Sequence, residues 1–345
     1  MRKTVVALFI LSVIVISLFC YFFFLNGIQR RNTSNSWIMD KPTIDDEKPK
    51  GDIGRSQWWA WYGYAYTENN ASTLLLNANI YPRDGTLYGN SYTLDGIIET
   101  FNFNMDISWN EETKTLYGTM KRERDNVTGT WSLEFPASGY RLYKQKVLSE
   151  EFTLEMWSRG IPLWGAKTES QMLQVGWSHG EPVYGGGFHD CVVVKANLTR
   201  GKETKIFDGF GMYARAWLTE IIGEGEAVVG FVNQQPEFYI NFMYVRNPYN
   251  LEEVFVKQGR IGFPDKAYRF DSFVYSGDKW PSLQWFKLNG TYEDGEVNLV
   301  GENIGFLHNR QKHPLIHWIG TITRNGKVIN VDSLGSGEFR QVNQS

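Results

Sequence analysis

From Gln57 onward apolar and polar residues alternate in short runs, broken by Gly, Asn and Asp about every ten residues, the spacing of antiparallel strands joined by tight turns. Leu74, Leu76, Ala78 and Ile80 fall on one face of such a strand, and Phe101, Phe103 and Met105 alternate with Asn102, Asn104 and Asp106 in another. Trp131, Leu133 and Phe135 repeat the pattern, as do Phe152, Leu154 and Met156. Further strands are expected at 192–196, 204–207, 227–232, 238–245, 268–275 and 296–300. Asn325-Gly326 separates the strand-like runs 316–323 and 327–331, and both residues accept the positive φ of a two-residue type I′ hairpin. No convincing amphipathic helix interrupts the series. The expected fold class is therefore all-β, with two consecutive antiparallel barrels or sandwiches over residues 56–165 and 166–345. Gly160, Pro162 and Gly165 break the pattern at the boundary.

Ahead of this region residues 4–25 are almost uniformly apolar, preceded by Arg2 and Lys3. A stretch of about 20 apolar residues matches the roughly 30 Å hydrocarbon core of a bilayer. A cleavable signal needs only about 7 to 15. No small-residue cleavage site follows Leu25, and Phe19 is too bulky for the position before a lipid-modified cysteine at Cys20. The expectation is an uncleaved single-pass anchor behind a short cytoplasmic tail at 1–3. Residues 26–55 lose the apolar period and carry Asp40, Lys41, Pro42, Asp45, Asp46, Glu47, Lys48 and Pro49, the composition of a polar spacer. Arg2 and Lys3 nearly balance Arg30 and Arg31 under the positive-inside rule. Tripeptides of the form N-x-S/T at Asn32, Asn70, Asn126, Asn197 and Asn289 favour an extracytoplasmic C-terminal domain, at the cell surface or in a secretory lumen. Chance occurrence in an Asn-rich chain is the competing explanation.

The formal net charge of the 345-residue chain is -3, and without a basic patch it does not have the footprint of a nucleic-acid binder. Aromatics make up 15% of the residues, with 13 Trp, 18 Tyr and 22 Phe, which suits a large core or a ligand cavity. Of the two cysteines, Cys20 lies in the apolar run, so Cys191 stands alone in the β region and no disulfide staples it. Cys191 reads as a buried, inert thiol.

Three segments together are similar to the lipocalin-like family that includes the AttH proteins, the carotenoid 1,2-hydratases and kievitone hydratase. Gln57-Trp58-Trp59-Ala60-Trp61-Tyr62 resembles the Trp-Trp strand that opens the family's first barrel. Residues 152–164, FTLEMWSRGIPLW, resemble the strand and G-x-P-x-W turn that close the first half. The stretch 185–217, with Gly185-Gly186-Gly187-Phe188-His189-Asp190 and Gly209-Phe210-Gly211-Met212-Tyr213, resembles the paired strands where the second barrel begins. The resemblance implies two barrel-like domains, a hydrophobic cavity, and hydratase or cyclase-like chemistry on an isoprenoid- or polyketide-like molecule. The chain departs from the carotenoid hydratases in lacking their acidic residue with a closely spaced His-x-Trp; Trp177-Ser178-His179 has the reverse order.

Hydration of an unactivated double bond needs a buried acid of raised pKa and groups that shield the cation. Asp190, His189 and Asp208 are the catalytic candidates. Trp58, Trp59, Trp61, Arg215 and Trp217 are the candidates for ligand binding, the indoles through cation–π attraction. Consecutive His189 and Asp190 point to opposite faces of a strand, so at most one enters the cavity, and the glycine run before them suits a tight turn. His308, His313 and His317 with Glu302 suggest a metal shell, but Pro314 breaks any helix there, and in a strand His313 and His317 lie about 13 Å apart. No metal, nucleotide or other cofactor is expected. A hydratase or cyclase-like enzyme on a hydrophobic small molecule is the first reading. A non-catalytic carrier of an apolar ligand is the second and a glycan-binding β-sandwich the third; the oligomeric state is left open.

Overall fold

The computed structural model describes residues 42–342, except 51–55, 69–72, 84–85, 95–96, 101–103, 123–124, 138, 160–161, 167–171, 221, 223–224, 235, 248, 251–252, 279–281 and 307–312. The expected span at 4–25, the tripeptides at Asn32 and Asn70, the positions of Phe101 and Phe103, and His308 lie outside the described residues. Among those described, no helix is long and apolar enough to cross a membrane.

Beyond one short helix, α1 (Ile44–Glu47), the described elements are strands. The first sheet comprises β1 (Ser56–Tyr66), β2 (Thr73–Arg83), β3 (Thr86–Leu94), β4 (Ile97–Thr100), β5 (Asn104–Met105), β6 (Ser108–Asn110), β7 (Thr115–Arg122), β8 (Val127–Ala137), β9 (Tyr140–Val147), β10 (Glu150–Ser158), β11 (Leu163–Ala166), β12 (Leu173–Ser178), β13 (Glu181–Arg200) and β14 (Glu203–Leu218). Its order is β10-β9-β8-β7-β5-β3-β2-β1-β14-β13, and β13 pairs back onto β10, which closes the path. The second sheet comprises β15 (Gly225–Gln234), β16 (Phe238–Arg246), β17 (Val254–Gly262), β18 (Ala267–Arg269), β19 (Ser272–Gly277), β20 (Trp285–Tyr292), β21 (Gly295–Phe306), β22 (Pro314–Arg324) and β23 (Lys327–Val342). Its order is β18-β17-β16-β15-β23-β22-β21-β20-β19. The all-β class and the two antiparallel sheets are those expected.

The expected boundary at 165–166 falls inside the first sheet, because β13 is the partner of β10 and β11 on the other side of it. The change of sheet comes between Leu218 and Gly225. The glycine run 185–187 is not a turn but lies within β13, where it lets neighbours approach. A Cβ at Gly186 would lie 2.5 Å from the Trp217 indole, and one at Gly187, where φ is +127°, would lie 2.0 Å from the Arg215 carbonyl oxygen. The run expected at 268–275 is two strands, β18 and β19. The Asn325-Gly326 hairpin forms with φ of 49° and 75°, joining β22 to β23.

Alternation sorts side chains into three cores. Inside the first sheet Trp59, Trp61, Leu133, Tyr143, Phe152, Leu154, Met156, Phe188 and Tyr213 pack together. The second sheet curls so that β16 meets β19, with Phe242 and Tyr275 rings 5.6 Å apart, over a core of Phe286, Trp318 and Phe339. A third core lies between the sheets, where Tyr62, Tyr64, Cys191, Phe210 and Met212 meet Phe231, Tyr239, Met243 and Val245. Each large apolar side chain buried this way contributes roughly 1.5–3 kcal/mol. Strand β13 is walled in on both faces.

Candidate functional site

The two faces of β13 carry different chemistry. Odd and even positions of a strand point apart, so Phe188 and Asp190 face the interior of the first sheet while His189 and Cys191 face the second sheet.

On the interior face Asp190 sits beside Tyr213, which in turn pairs with Trp61, and Phe188 sits beside Arg215, which pairs with Trp59. The Asp190 carboxylate accepts from Arg141 Nη1 at 3.2 Å and Ser158 Oγ at 2.9 Å. Glu47 of α1 reaches in from outside the sheet, accepting from Arg141 Nε at 2.9 Å and from the Tyr213 hydroxyl at 2.7 Å. Arg141 lies 4.2 Å from the Tyr213 ring centroid, and Arg215 lies 4.1 Å from that of Trp59 and 5.1 Å from that of Trp217. Burial pushes the Asp190 pKa up to about 6, against the opposing pull of Arg141 and Ser158. Burial works against the charged form of Arg141, yet Glu47 and Asp190 hold its pKa above the ordinary value. Burial brings Arg215 down to about 10.

Part of the expected spacer is thereby docked. Arg215 Nη2 donates to the Lys48 carbonyl at 2.7 Å, Trp59 Nε1 donates to the Glu47 carbonyl at 3.0 Å, and the Lys50 amide donates to Gln57 Oε1 at 2.8 Å. Asp46 caps α1 by accepting from the Thr43 amide at 2.7 Å.

Between the sheets the lining is aromatic, and among the described residues some of its buried polar atoms have no hydrogen-bond partner. Strand β16 presents Tyr239, Asn241 and Met243 towards the first sheet, and β17 places Arg260 beside Asn241. Asn241 is 0% exposed, and neither its amide nitrogen nor its amide oxygen has a hydrogen-bond partner among the described residues. The Tyr239 hydroxyl is likewise without one. Its ring lies over Gly262, where an added Cβ would come within 2.0 Å of it. The Arg159 guanidinium stands 5.2 Å from the Tyr239 centroid and donates to Asn233 Oδ1 at 3.3 Å. Burial lowers the Arg260 pKa to about 10, helped by the nearby charge of Arg269. Tyr62 and Phe210 pack on Phe231, and Tyr62 on His313. Buried polar atoms are nearly always bonded in folded proteins, so three open ones on neighbouring side chains mark a place built for something polar.

No protein-family model matches the sequence, and none of the curated proteins does. Among solved structures the crystal structure of CghA matches with a TM-score of 0.53 and 9% identity, covering 91% of this chain and 98% of that one. The fold is that of CghA. Kievitone hydratase from Nectria haematococca is similar with a TM-score of 0.49 and 13% identity, over 90% of this chain and 96% of its own. A putative AttH from Nitrosomonas europaea is similar with a TM-score of 0.47 and 10% identity, over 89% of this chain and 98% of its own.

Set on the CghA fold, the sequence candidates divide between compartments. Trp59, Trp61, Arg215, Trp217 and Asp190 are brought together on the interior face. Trp58 is half-buried on the opposite face and packs in the core between the sheets. His189 also faces that core, and burial lowers its pKa to about 4, against the charge of Glu338. Asp208 is exposed near the far end of β14, opposite Tyr66 and Lys195, away from both clusters. Asn126 is exposed in the β7–β8 turn, whereas Asn197 and Asn289 are half-buried within paired strands. Asn197 spends its amide on Thr153 Oγ1 at 3.1 Å. His317 pairs with Asp332 at 2.7 Å, and no metal-holding group of His, Cys, Asp and Glu occurs among the described residues. Glu47, Arg141, Tyr239, Asn241 and Arg260 were not singled out by sequence. The one local signal is a lone Asn241 in the otherwise apolar and aromatic run 238–245, which strand geometry places on the face of Tyr239 and Met243.

Proposed function

We propose that the chain is an enzyme acting on a hydrophobic, isoprenoid- or polyketide-like small molecule held between the two sheets. The observation that carries this reading is Asn241, buried with both amide atoms open, beside the open Tyr239 hydroxyl and the Arg260 guanidinium. Groups that donate hydrogen bonds from a dry aromatic wall polarise a carbonyl oxygen and stabilise negative charge developing on it. Such an arrangement suits a cyclase- or isomerase-type rearrangement, with Tyr62, Phe210 and Phe231 shaping the apolar part of the ligand. The crystal structure of CghA with Sch210972 supports a ligand in this fold. The apolar run at 4–25 supports a membrane anchor that keeps the domain near lipid-borne substrate, and the N-x-S/T tripeptides, Asn126 in its exposed turn among them, support an extracytoplasmic side.

A second reading rests on Asp190, whose carboxyl, held near pKa 6 among Trp61, Tyr213 and Phe188, has the strength wanted of a general acid for hydration. One experiment separates the readings. The full chain, wild type and as Asn241→Leu and Asp190→Asn, is purified in detergent, extracted into organic solvent and analysed by mass spectrometry. A wild-type product whose isomeric precursor accumulates in Asn241→Leu supports the first reading. A precursor lighter by one water in Asp190→Asn supports the second. The same unaltered ligand in all three makes the protein a carrier, and empty extracts from all three overturn a hydrophobic ligand altogether.

A further inference from the structure

Among the described residues, Glu47 is the carboxylate that the chain brings to Arg141 from outside the first sheet. Among the described residues two buried guanidiniums, Arg141 and Arg215, lie near the buried carboxylates Glu47 and Asp190, with Asp46 also buried but turned back onto Thr43. Of the first four only Glu47 is not on a strand; Arg141 belongs to β9, Asp190 to β13 and Arg215 to β14, where sheet pairing sets their positions. Without Glu47 the Arg141 Nε and the Tyr213 hydroxyl lose their acceptor, and a buried guanidinium loses one of its two carboxylates, a costly change away from water.

The Arg141 Nε and Tyr213 hydroxyl donors, aimed at the two separate Glu47 oxygens, form a two-point carboxylate grip. Arg215 supplies a second, independent sign. It is 0% exposed, no carboxylate bonds it directly among the described residues, where its partners are the Lys48 and Ala216 carbonyls, the Gln57 amide oxygen and two indole faces, and only the charges of Glu47 and Asp46 act on it from farther off. Among the described residues Trp59, Trp61, Tyr143 and Phe188 wall this place, which suits an apolar or aromatic group behind a carboxylate.

The element that delivers Glu47 is suited to leaving. A helix of four residues has no stability of its own. Apart from the Glu47 carboxylate itself, which a ligand carboxylate would replace, it is held by a few hydrogen bonds from Trp59, Arg215 and Gln57, and by the Lys48 ion pair to Glu111 at 2.9 Å, a half-exposed contact worth little.

We propose that the first sheet encloses a carboxylate-binding site which the chain fills in cis with Glu47, and that an aryl-alkyl carboxylate ligand competes with residues 43–50 for it. The site lies on the opposite face of β13 from the chamber between the sheets, and it stands without the reading given to that chamber.

The test uses the full chain and 4-phenylbutyrate as probe, with 4-phenylbutanol as its uncharged match and chloride to hold ionic strength. Calorimetric titration of Glu47→Ala is expected to show one saturable site for the carboxylate, at least about tenfold tighter than in wild type, where the occupied site must first be vacated. The alcohol is expected not to compete. Arg141→Met added to Glu47→Ala abolishes the binding. Equal binding of acid and alcohol, or no saturable binding to a folded Glu47→Ala, overturns the proposal. Should that variant not fold, Glu47→Gln keeps the shape without the charge, and amide exchange over 43–50 is read with and without probe. Faster exchange on adding the carboxylate supports competition, and unchanged exchange in both wild type and Glu47→Gln refutes it.

Discussion

Replacing Asn241 by Leu removes a polar group that the folded chain buries without satisfying. In the unfolded chain water bonds both amide atoms; in the fold neither is bonded within the described structure, although the residue is wholly buried between Phe231 and Arg260. Leaving such a group unmet costs about 1–3 kcal/mol, and an apolar side chain of similar size escapes that cost. The ligand-free Asn241→Leu protein should therefore be more stable than wild type, by about 1–2 kcal/mol once some misfit of the branched side chain is allowed for. Urea unfolding followed by tryptophan fluorescence reads this as a higher midpoint at unchanged slope. By thermal unfolding the shift is roughly 2–4 °C per kcal/mol for a domain of 150–250 residues. The same variant should lose whatever small molecule the wild type retains, since a polar group kept at the expense of stability marks a functional position. A loss of stability greater than about 1 kcal/mol refutes the reasoning, because it means that the amide makes strong bonds in the native state.

Asp190 and His189 should move the pH dependence of stability in opposite directions. The folded pKa of Asp190 is raised to about 6 from 3.8, so its folded state binds the extra proton, and its contribution falls by roughly 3 kcal/mol as pH rises from 3.8 through 6. His189 is depressed to about 4 from 6.5, so its contribution is present above 6.5 and is lost by a similar amount as pH falls towards 4. Relative to wild type, Asp190→Asn should gain stability from pH 4.5 to 7, and His189→Gln should gain it from pH 7 to 4.5; parallel curves for both variants exclude these shifts. Arg141→Met strands two buried carboxylates and should cost about 3–5 kcal/mol in urea unfolding; a cost under about 1 kcal/mol shows the network to be solvated. Gly262→Ala pushes the Tyr239 ring and should cost about 1–3 kcal/mol while altering ligand retention, whereas a neutral result shows the ring free to move aside.

The strand series and the closing hairpin were legible in the sequence because both are local: alternation with period two, and two residues tolerant of positive φ. Trp59, Trp61, Arg215 and Trp217 could be grouped because residues two apart in a strand share a face and the motif resemblance placed the two segments in one family pattern. The glycine run 185–187 misled, since glycine also serves inside a strand wherever an indole or a carbonyl must come close. Trp58 was grouped with its neighbours although alternation alone sends it to the other face. Glu47 was invisible, being one acid among several in a segment of solvated composition; its role comes from Arg141 and Tyr213, 94 and 166 positions away. Tyr239 and Asn241 carry no motif, because their meaning lies in bonds that the fold leaves unmade.

The twenty-residue strand β13 separates two compartments that share no side chain along it. Its alternate residues belong to different tasks, so losing or gaining one residue between Gly185 and Val194 would deliver the imidazole of His189 to the guanidinium grip and the carboxyl of Asp190 to the aromatic wall. Evolution can exchange side chains here one at a time, but it cannot adjust the length. Among natural or randomised variants of this chain, insertions and deletions should accumulate in the hairpin ends and be purged from this segment, even where the individual residues tolerate replacement.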